Sequence, residues 1–126
     1  MPIDLKTPTP LLGGLSPTAF MRDVWQKRPM LIRQALPGIQ PPVSPRELFA
    51  LAERDDVESR LVVQGAGARS AWKLRHGPVP RRALPSLKTP RWTLLVQGVD
   101  LHVQAAHELL QRFRWIADAR VDDLMV

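Results

Sequence analysis

Cysteine is absent from this sequence, and so are long apolar runs. Without cysteine the chain can form no disulfide bond, no thiolate metal site and no thiol nucleophile, which fits a reducing cytoplasm. The longest apolar stretches are far shorter than the ~20 residues that a membrane helix needs, and the N-terminus lacks the basic and apolar regions of a secretion signal. We therefore expect a soluble, cytoplasmic protein without a membrane segment.

The composition is that of an ordinary globular protein. Hydrophobic residues make up 44% and charged residues 24% of the 126 residues, which is too apolar for a chain that is disordered throughout. The length suits one folded unit or part of a larger one. Residues 1–15 hold three prolines and two glycines, which interrupt any regular periodicity. We expect a flexible arm over residues 1–15 and a folded domain over residues 16–126.

Local signals predict an α+β fold. Ser16 and Ser44 are each followed by proline and by apolar residues at helical spacing, and Glu47 is placed to complete a capping box. From Ser59 onward, short β-rich runs alternate with turn residues. The predicted helices span residues 16–26, 44–54 and 102–114. The predicted strands span residues 30–33, 60–64, 71–75, 92–97 and 119–126, with 92–97 central and 120–126 at an edge.

Positive charge is concentrated in the C-terminal half. The net charge is +6; residues 1–63 carry 8 basic and 7 acidic side chains, whereas residues 64–126 carry 10 and 5. Seven basic residues follow one another with no acidic residue between them: Arg69, Lys73, Arg75, Arg81, Arg82, Lys88 and Arg91. This segment could attract phosphate backbones or an acidic surface. It also fits a solvated loop, since the aromatic–basic interleaving of the usual nucleic-acid modules does not accompany it.

The three histidines are the first candidates for metal ligands. His102 and His107 are five residues apart, about 140° around a helix, so they do not share a face, and His76 lies far from both in sequence. Asp100 precedes the predicted third helix, where a carboxylate caps the helix and needs no metal. We therefore name no metal-ligating residue in this chain.

Two further motifs also have structural interpretations. Asp122 and Asp123 are an adjacent carboxylate pair, but neighbours on a strand point to opposite faces, so only one could face a pocket. Gly65 and Gly67 lack the remaining glycine and the following helix of a dinucleotide-binding fingerprint, which predicts a turn. The residues by themselves identify no catalytic and no cofactor-binding side chain.

Six segments share their order and spacing with one protein family. They are WQKRP (25–29), SPREL (44–48), ESRLV (58–62), HGP (76–78), WTLLVQGVD (92–100) and RVDDLMV (120–126). Together they resemble the N-terminal region of the bacterial cupin-like JmjC ribosomal oxygenases, from about Phe20 to the last residue. Members of that family are iron(II)- and 2-oxoglutarate-dependent dioxygenases that hydroxylate an arginine of a large-subunit ribosomal protein.

The resemblance implies N-terminal helices followed by the first strands of a cupin double-stranded β-helix, with the barrel incomplete in this chain. In the family, the His-x-Asp and distal histidine ligands of iron, and the basic residue that binds 2-oxoglutarate, come after the segment resembling residues 122–126. The resemblance therefore implies a truncated chain that is inactive by itself. Iron(II) and 2-oxoglutarate are the cofactors it implies for the complete domain.

The leading hypothesis is thus an N-terminal piece of a ribosomal oxygenase, whose implied partner is a large-subunit ribosomal protein. The family's N-terminal region lines part of the substrate cleft, which would bring the basic segment near that partner. The alternative is a stand-alone basic module that binds RNA or a ribosomal partner, and a purely structural domain is a third possibility. An exposed strand edge at residues 120–126 also predicts self-association.

Overall fold

A computed structural model describes residues 3–67 and 71–126. The chain divides into two compact units. The first consists of the residues up to Pro41 together with Arg112–Val121, and the second consists of Pro42–Gln111 together with Asp122–Val126. None of the helices in the described ranges is long and apolar enough to cross a membrane.

The first unit contains helix α1, Pro17–Asp23. Ser16 caps it as predicted, because its hydroxyl accepts a hydrogen bond from the Ala19 amide at 3.2 Å, and Pro17 occupies the first helical position. The helix ends earlier than residue 26, and Gln26 has a left-handed backbone with φ of 56°. Phe20 on α1 packs edge-to-face against Trp115, with ring centroids 5.5 Å apart.

The residues that precede α1 include a short 3-10 helix, Pro10–Leu12, capped by the Thr9 hydroxyl. Leu12 is buried within this unit, so part of the expected arm contributes to packing. Whether the arm over residues 1–15 is flexible stays a prediction. The predicted strand at residues 30–33 is wrong. A strand needs a neighbour for its backbone groups, and the described part of this unit contains no other strand to supply one.

The second unit begins with helix α2, Pro45–Ala52, and the predicted capping box is present. The Glu47 amide donates to the Ser44 hydroxyl at 3.3 Å, while the Glu47 carboxylate accepts from the Ser44 amide at 2.8 Å. Both bonds satisfy amides that have no partner within the helix. The start of α2 is therefore determined by local sequence.

The sheet has three antiparallel strands: β1 is Ser59–Gln64, β2 is Trp72–His76 and β3 is Trp92–Val96. Their order is β2-β1-β3, so the predicted hairpin is confirmed, but β1, not β3, is central. The loop after β2 carries the chain across to the other side of β1, an arrangement that strand hydrophobicity alone does not reveal. The three strands form an open sheet that does not close into a barrel within the described residues, which confirms the expected fold class.

One face of the sheet forms the core of the second unit. Leu61, Leu94 and Val96 pack there against apolar side chains of α2 and of the long loop after β2. Val79 of that loop is fully buried, and its amide donates to the Ala52 carbonyl at the end of α2 at 2.7 Å. The loop therefore forms part of the layer that covers this face.

The C-terminal elements differ from the prediction in two ways. The expected helix at 102–114 is shorter, since a 3-10 helix, Val99–Leu101, precedes helix α3, Gln104–Gln111. The expected strand at 119–126 is wrong, because a 3-10 helix, Asp118–Arg120, is followed by chain without regular structure. Val126 nevertheless pairs with Val96 through two backbone hydrogen bonds of 2.8 and 3.0 Å.

Candidate functional site

Two aspartates attach the C-terminal segment of the second unit to the turn after β3. The Asp100 carboxylate accepts a hydrogen bond from the Leu124 amide at 2.8 Å, and the Asp123 carboxylate accepts one from the Gly98 amide at 2.6 Å. The predicted helix-capping role of Asp100 is therefore wrong. Asp100 lies inside the 3-10 helix Val99–Leu101, and its side chain is directed to a distant segment that the sequence pattern could not place.

A cleft of about 310 Å³ lies beside these bonds. Its acidic members are Asp56, Glu58, Asp122 and Asp123, and His102 also borders it. We expected only one aspartate of the pair 122–123 to face a pocket, but both residues line this cleft because the segment is not a regular strand.

Asp56 is already engaged by a neighbouring cation. Its two carboxylate oxygens accept hydrogen bonds from the Arg54 guanidinium at 2.8 and 2.6 Å. These hydrogen bonds, together with the positive charge of Arg54, lower the pKa of Asp56 below its ordinary value. One of the four acidic groups of the cleft is thus neutralised locally.

The three histidines do not assemble a metal site. His76 ends β2, His102 follows the 3-10 helix, and His107 lies on α3, where its Nε2 atom is 3.2 Å from Nε2 of Gln111. Over residues 3–67 and 71–126, no group of three or more histidine, aspartate or glutamate side chains comes together as a metal ion requires. The described residues therefore do not fit the iron(II) that the resemblance implies.

The described members of the predicted basic segment are exposed in the second unit, and we call them together the basic face. Arg69 lies outside the described residues; the other six members are all exposed, namely Lys73, Arg75, Arg81, Arg82, Lys88 and Arg91. Lys73 and Arg75 are registered opposite Val63 and Leu61 of β1, and cross-strand partners share a face of the sheet. The remaining four belong to the loop that covers this same face, because Val79 and Leu84 of the loop lie in the core beneath it.

A groove adjoins the basic face at α2. Its volume is about 440 Å³, and it is lined by Pro45, Arg46, Phe49, Ala50, Glu53, Arg81 and Leu87. The Arg81 guanidinium carbon lies 4.4 Å from the centre of the Phe49 ring, which is a cation–π contact. The Arg81 amide donates to the Glu53 carboxylate at 2.5 Å, so the loop is held against α2. Sequence reasoning missed this groove, since Phe49 and Arg81 are far apart along the chain and no local signal links them.

The opposite face of the sheet, which we call the outer face, carries exposed apolar side chains among polar ones. Trp72 and Leu74 of β2 are 67% and 58% exposed, and Leu74 is registered opposite Val62. The outer face also carries Arg60, whose guanidinium donates to the Gln97 side chain at 2.8 Å. Trp72 and Leu74 are therefore the apolar surface that this face of the sheet presents to solvent.

No protein-family model matches the chain. Two curated proteins are similar to it. The ribosomal protein uL16 3-hydroxylase of Escherichia coli (strain K12) is 36% identical over 107 residues, which are 85% of this chain and 27% of that protein. The probable ribosomal oxygenase of Haemophilus influenzae is 32% identical over 112 residues, which are 89% of this chain and 27% of that protein.

Solved structures give the same result. The ribosomal oxygenase YcfD from Escherichia coli, in complex with cobalt and succinic acid, superimposes with a TM-score of 0.75 and 35% identity. The match covers 88% of this chain and 29% of that one. The complex of YcfD with cobalt and 2-oxoglutarate matches with a TM-score of 0.74. The chain is therefore related to the bacterial JmjC ribosomal oxygenases, as its sequence indicates, and it spans only about a quarter of the length of the relatives that it matches.

Proposed function

We propose that this chain is the N-terminal part of an iron(II)- and 2-oxoglutarate-dependent ribosomal oxygenase and is inactive by itself. The observation that carries the proposal is the agreement of sequence and fold with the ribosomal oxygenases over most of this chain. In this role the chain supplies packing surface and part of a substrate cleft, and other parts of the oxygenase hold the iron.

The described residues do not bring together the ligands that metal chemistry requires. YcfD has been crystallised with cobalt and 2-oxoglutarate, so relatives of this chain bind a metal and this cosubstrate. In this chain His76, His102 and His107 belong to separate elements and do not converge. We therefore assign no reaction step to any of its side chains and propose a positioning role only.

The outer face supports this role. Burying a side chain of the size of Trp72 or Leu74 contributes about 1.5–3 kcal/mol, so leaving both exposed is unfavourable for a unit that acts alone. Packing of further oxygenase sequence on this face would remove that apolar surface from water. The open sheet, with β2 at one edge, allows such growth.

The proposed partner is a ribosomal protein, and the proposed location is the cytoplasm. A relative is named for the hydroxylation of uL16, so uL16 or a similar large-subunit protein is the first candidate.

A second candidate function, a basic binding module, is favoured by one observation, the six exposed cations of the basic face. The strand edge expected at residues 120–126 is not a strand, and Val126 is paired with Val96, so we propose β2, an edge strand of the sheet, for self-association instead.

The experiment compares iron(II) binding by the chain alone with binding by a fusion of the chain to the remainder of the Escherichia coli relative. We expect no stoichiometric iron(II) binding by the chain alone in titration calorimetry and one tight site in the fusion. Circular dichroism of both proteins establishes that each is folded, so that a missing site in the chain alone is not a failure to fold. Tight, stoichiometric binding by the chain alone would refute the proposal.

A further inference from the structure

We propose that the basic face binds single-stranded RNA, with phosphates on its cations and an unstacked base in the groove beside Phe49 and Arg81. The choice of RNA over DNA rests on the proposed function, because ribosomal proteins lie on RNA. The binding itself does not, since it uses only residues of this chain. It can therefore be measured whether or not the chain belongs to an active oxygenase.

No cation of the basic face forms an ion pair with another described residue. The ion pairs among residues 3–67 and 71–126 are Arg22–Asp23, Arg54–Asp56 and Arg114–Asp118, which all lie outside the basic face. Glu53 also lines the groove, but its hydrogen bond to Arg81 is made with the backbone amide, while the Arg81 guanidinium contacts the Phe49 ring. A polyanion would neutralise these cations and release its own condensed counterions, which drives binding.

The cations come from adjoining parts of the second unit. Lys73 and Arg75 extend from β2 on the core-facing side of the sheet, and the loop with the other four cations covers that side. The end of this loop is held in a tight turn, since the Trp92 indole donates to the Ser86 carbonyl at 3.2 Å and the Thr89 amide donates to it at 2.8 Å. Lys88 and Arg91 thus project from an ordered turn.

The groove adds a surface for base stacking, which a simple basic patch lacks. Bases stack on aromatic rings and on guanidinium planes, and the groove has one of each, since the Arg81 guanidinium lies over the Phe49 ring. The groove volume of about 440 Å³ exceeds what a nucleobase needs, and Leu87 at its rim is 67% exposed. An acidic peptide needs an added aromatic side chain to fill the groove, and a duplex must flip a base out of its stack at a cost of a few kcal/mol, whereas a single strand offers phosphates and unstacked bases together. Single-stranded nucleic acid is therefore the ligand class that uses both features.

The first test measures charge. A labelled single-stranded RNA of about twelve nucleotides is titrated with the chain by fluorescence anisotropy over a series of salt concentrations. We expect log K to fall linearly with log salt, and we expect Arg82→Glu with Lys88→Glu to weaken binding about tenfold or more at low salt and to flatten the slope by about 1.4. The control pair Arg28→Glu with Arg33→Glu makes the same charge change elsewhere in the chain. Equal losses in the two pairs would overturn the proposal.

The second test measures stacking. Phe49→Leu keeps the groove apolar and Arg81→Lys keeps its charge, so each should weaken binding about fivefold or more without altering the salt slope. Circular dichroism of each variant establishes that it is folded. Wild-type affinity in both variants would overturn the role of the groove. Equal affinity for duplex RNA or for polyglutamate of the same charge would overturn single-stranded RNA as the ligand.

Discussion

At the scale of single residues, Gly77 shows how one contact determines a residue type. Its amide donates to the Ser59 carbonyl at 2.8 Å, directly beside the buried Ser59 side chain. A Cβ atom at position 77 would collide with the Ser59 hydroxyl. Glycine is therefore required here by close approach of the chain after β2 to the first residue of β1.

This contact predicts a non-additive pair of substitutions. Gly77→Ala should lower the free energy of unfolding by about 1–3 kcal/mol, because the added methyl group overpacks the contact. In a Ser59→Ala background the hydroxyl is gone, so the same change should cost less. Ser59→Ala alone should cost little, since the Ser59 hydroxyl makes only a long bond of 3.4 Å to the Ala52 carbonyl. Urea denaturation measures all four proteins, and strictly additive effects would contradict the contact.

Asp100 predicts a change in local stability. Asp100→Ala removes the acceptor for the Leu124 amide, and a hydrogen bond to a charged group is worth about 1.5–3 kcal/mol. Asp100→Asn retains an acceptor oxygen and is the matched control. Amide hydrogen exchange followed by NMR should show faster exchange at Leu124 in Asp100→Ala than in Asp100→Asn. Unchanged exchange at Leu124 in the alanine variant would contradict the contact.

At the scale of elements, the start of α2 makes stability depend on pH. Hydrogen bonds from the Ser44 side chain and backbone lower the pKa of Glu47 below its ordinary value of 4.5 in the folded state. A carboxyl group with a lowered pKa stabilises the fold above its unfolded-state pKa, and this contribution is lost as the pH falls through the folded-state pKa.

Glu47→Gln removes this titration while keeping a residue type found in capping boxes. We expect the difference in unfolding free energy between wild type and Glu47→Gln to shrink as the pH is lowered below 4.5. Glu108→Gln on α3 is a control that makes the same change outside the capping box. A difference that stays constant from neutral to acidic pH would show that the Glu47 carboxylate does not stabilise the helix start.

Strand β2 carries features that favour and oppose association. Trp72 and Leu74 offer an apolar edge to a second copy, whereas Lys73 and Arg75 repel it, as charged edge residues commonly do. Added salt screens the repulsion, so self-association should increase with salt in sedimentation velocity. Leu74→Thr keeps strand propensity and removes apolar area, and it should shift the equilibrium to monomer. A monomer at all salt and protein concentrations would contradict edge association.

At the scale of the whole molecule, the accuracy of prediction from sequence depended on how far apart the interacting residues lie along the chain. The helix starts at Ser16 and Ser44 and the β1–β2 hairpin rest on neighbouring residues, and they were predicted correctly. The centre of the sheet and the C-terminal segment were predicted wrongly, because they rest on pairings such as Val96 with Val126. The cations of the basic face were visible in the sequence, but the groove beside them was not.

The same reasoning applies to function. The order of six short segments identified the ribosomal oxygenases, because order and spacing carry more information than any single motif. The positioning role that we propose could not be predicted from side-chain chemistry, since such a role depends on surface shape and packing. The exposed apolar side chains of the outer face and the open sheet became apparent only with the strand register.

The measurement that tests the central claim most directly is turnover of a chimera. In the chimera, this chain replaces the matching segment of the Escherichia coli uL16 3-hydroxylase. That segment makes up 27% of the hydroxylase. We predict that the iron-loaded chimera converts 2-oxoglutarate to succinate and adds an oxygen atom to uL16 at a rate within about tenfold of the parent, while this chain alone does neither. A folded, iron-loaded chimera without turnover, or turnover by this chain alone, would contradict the account.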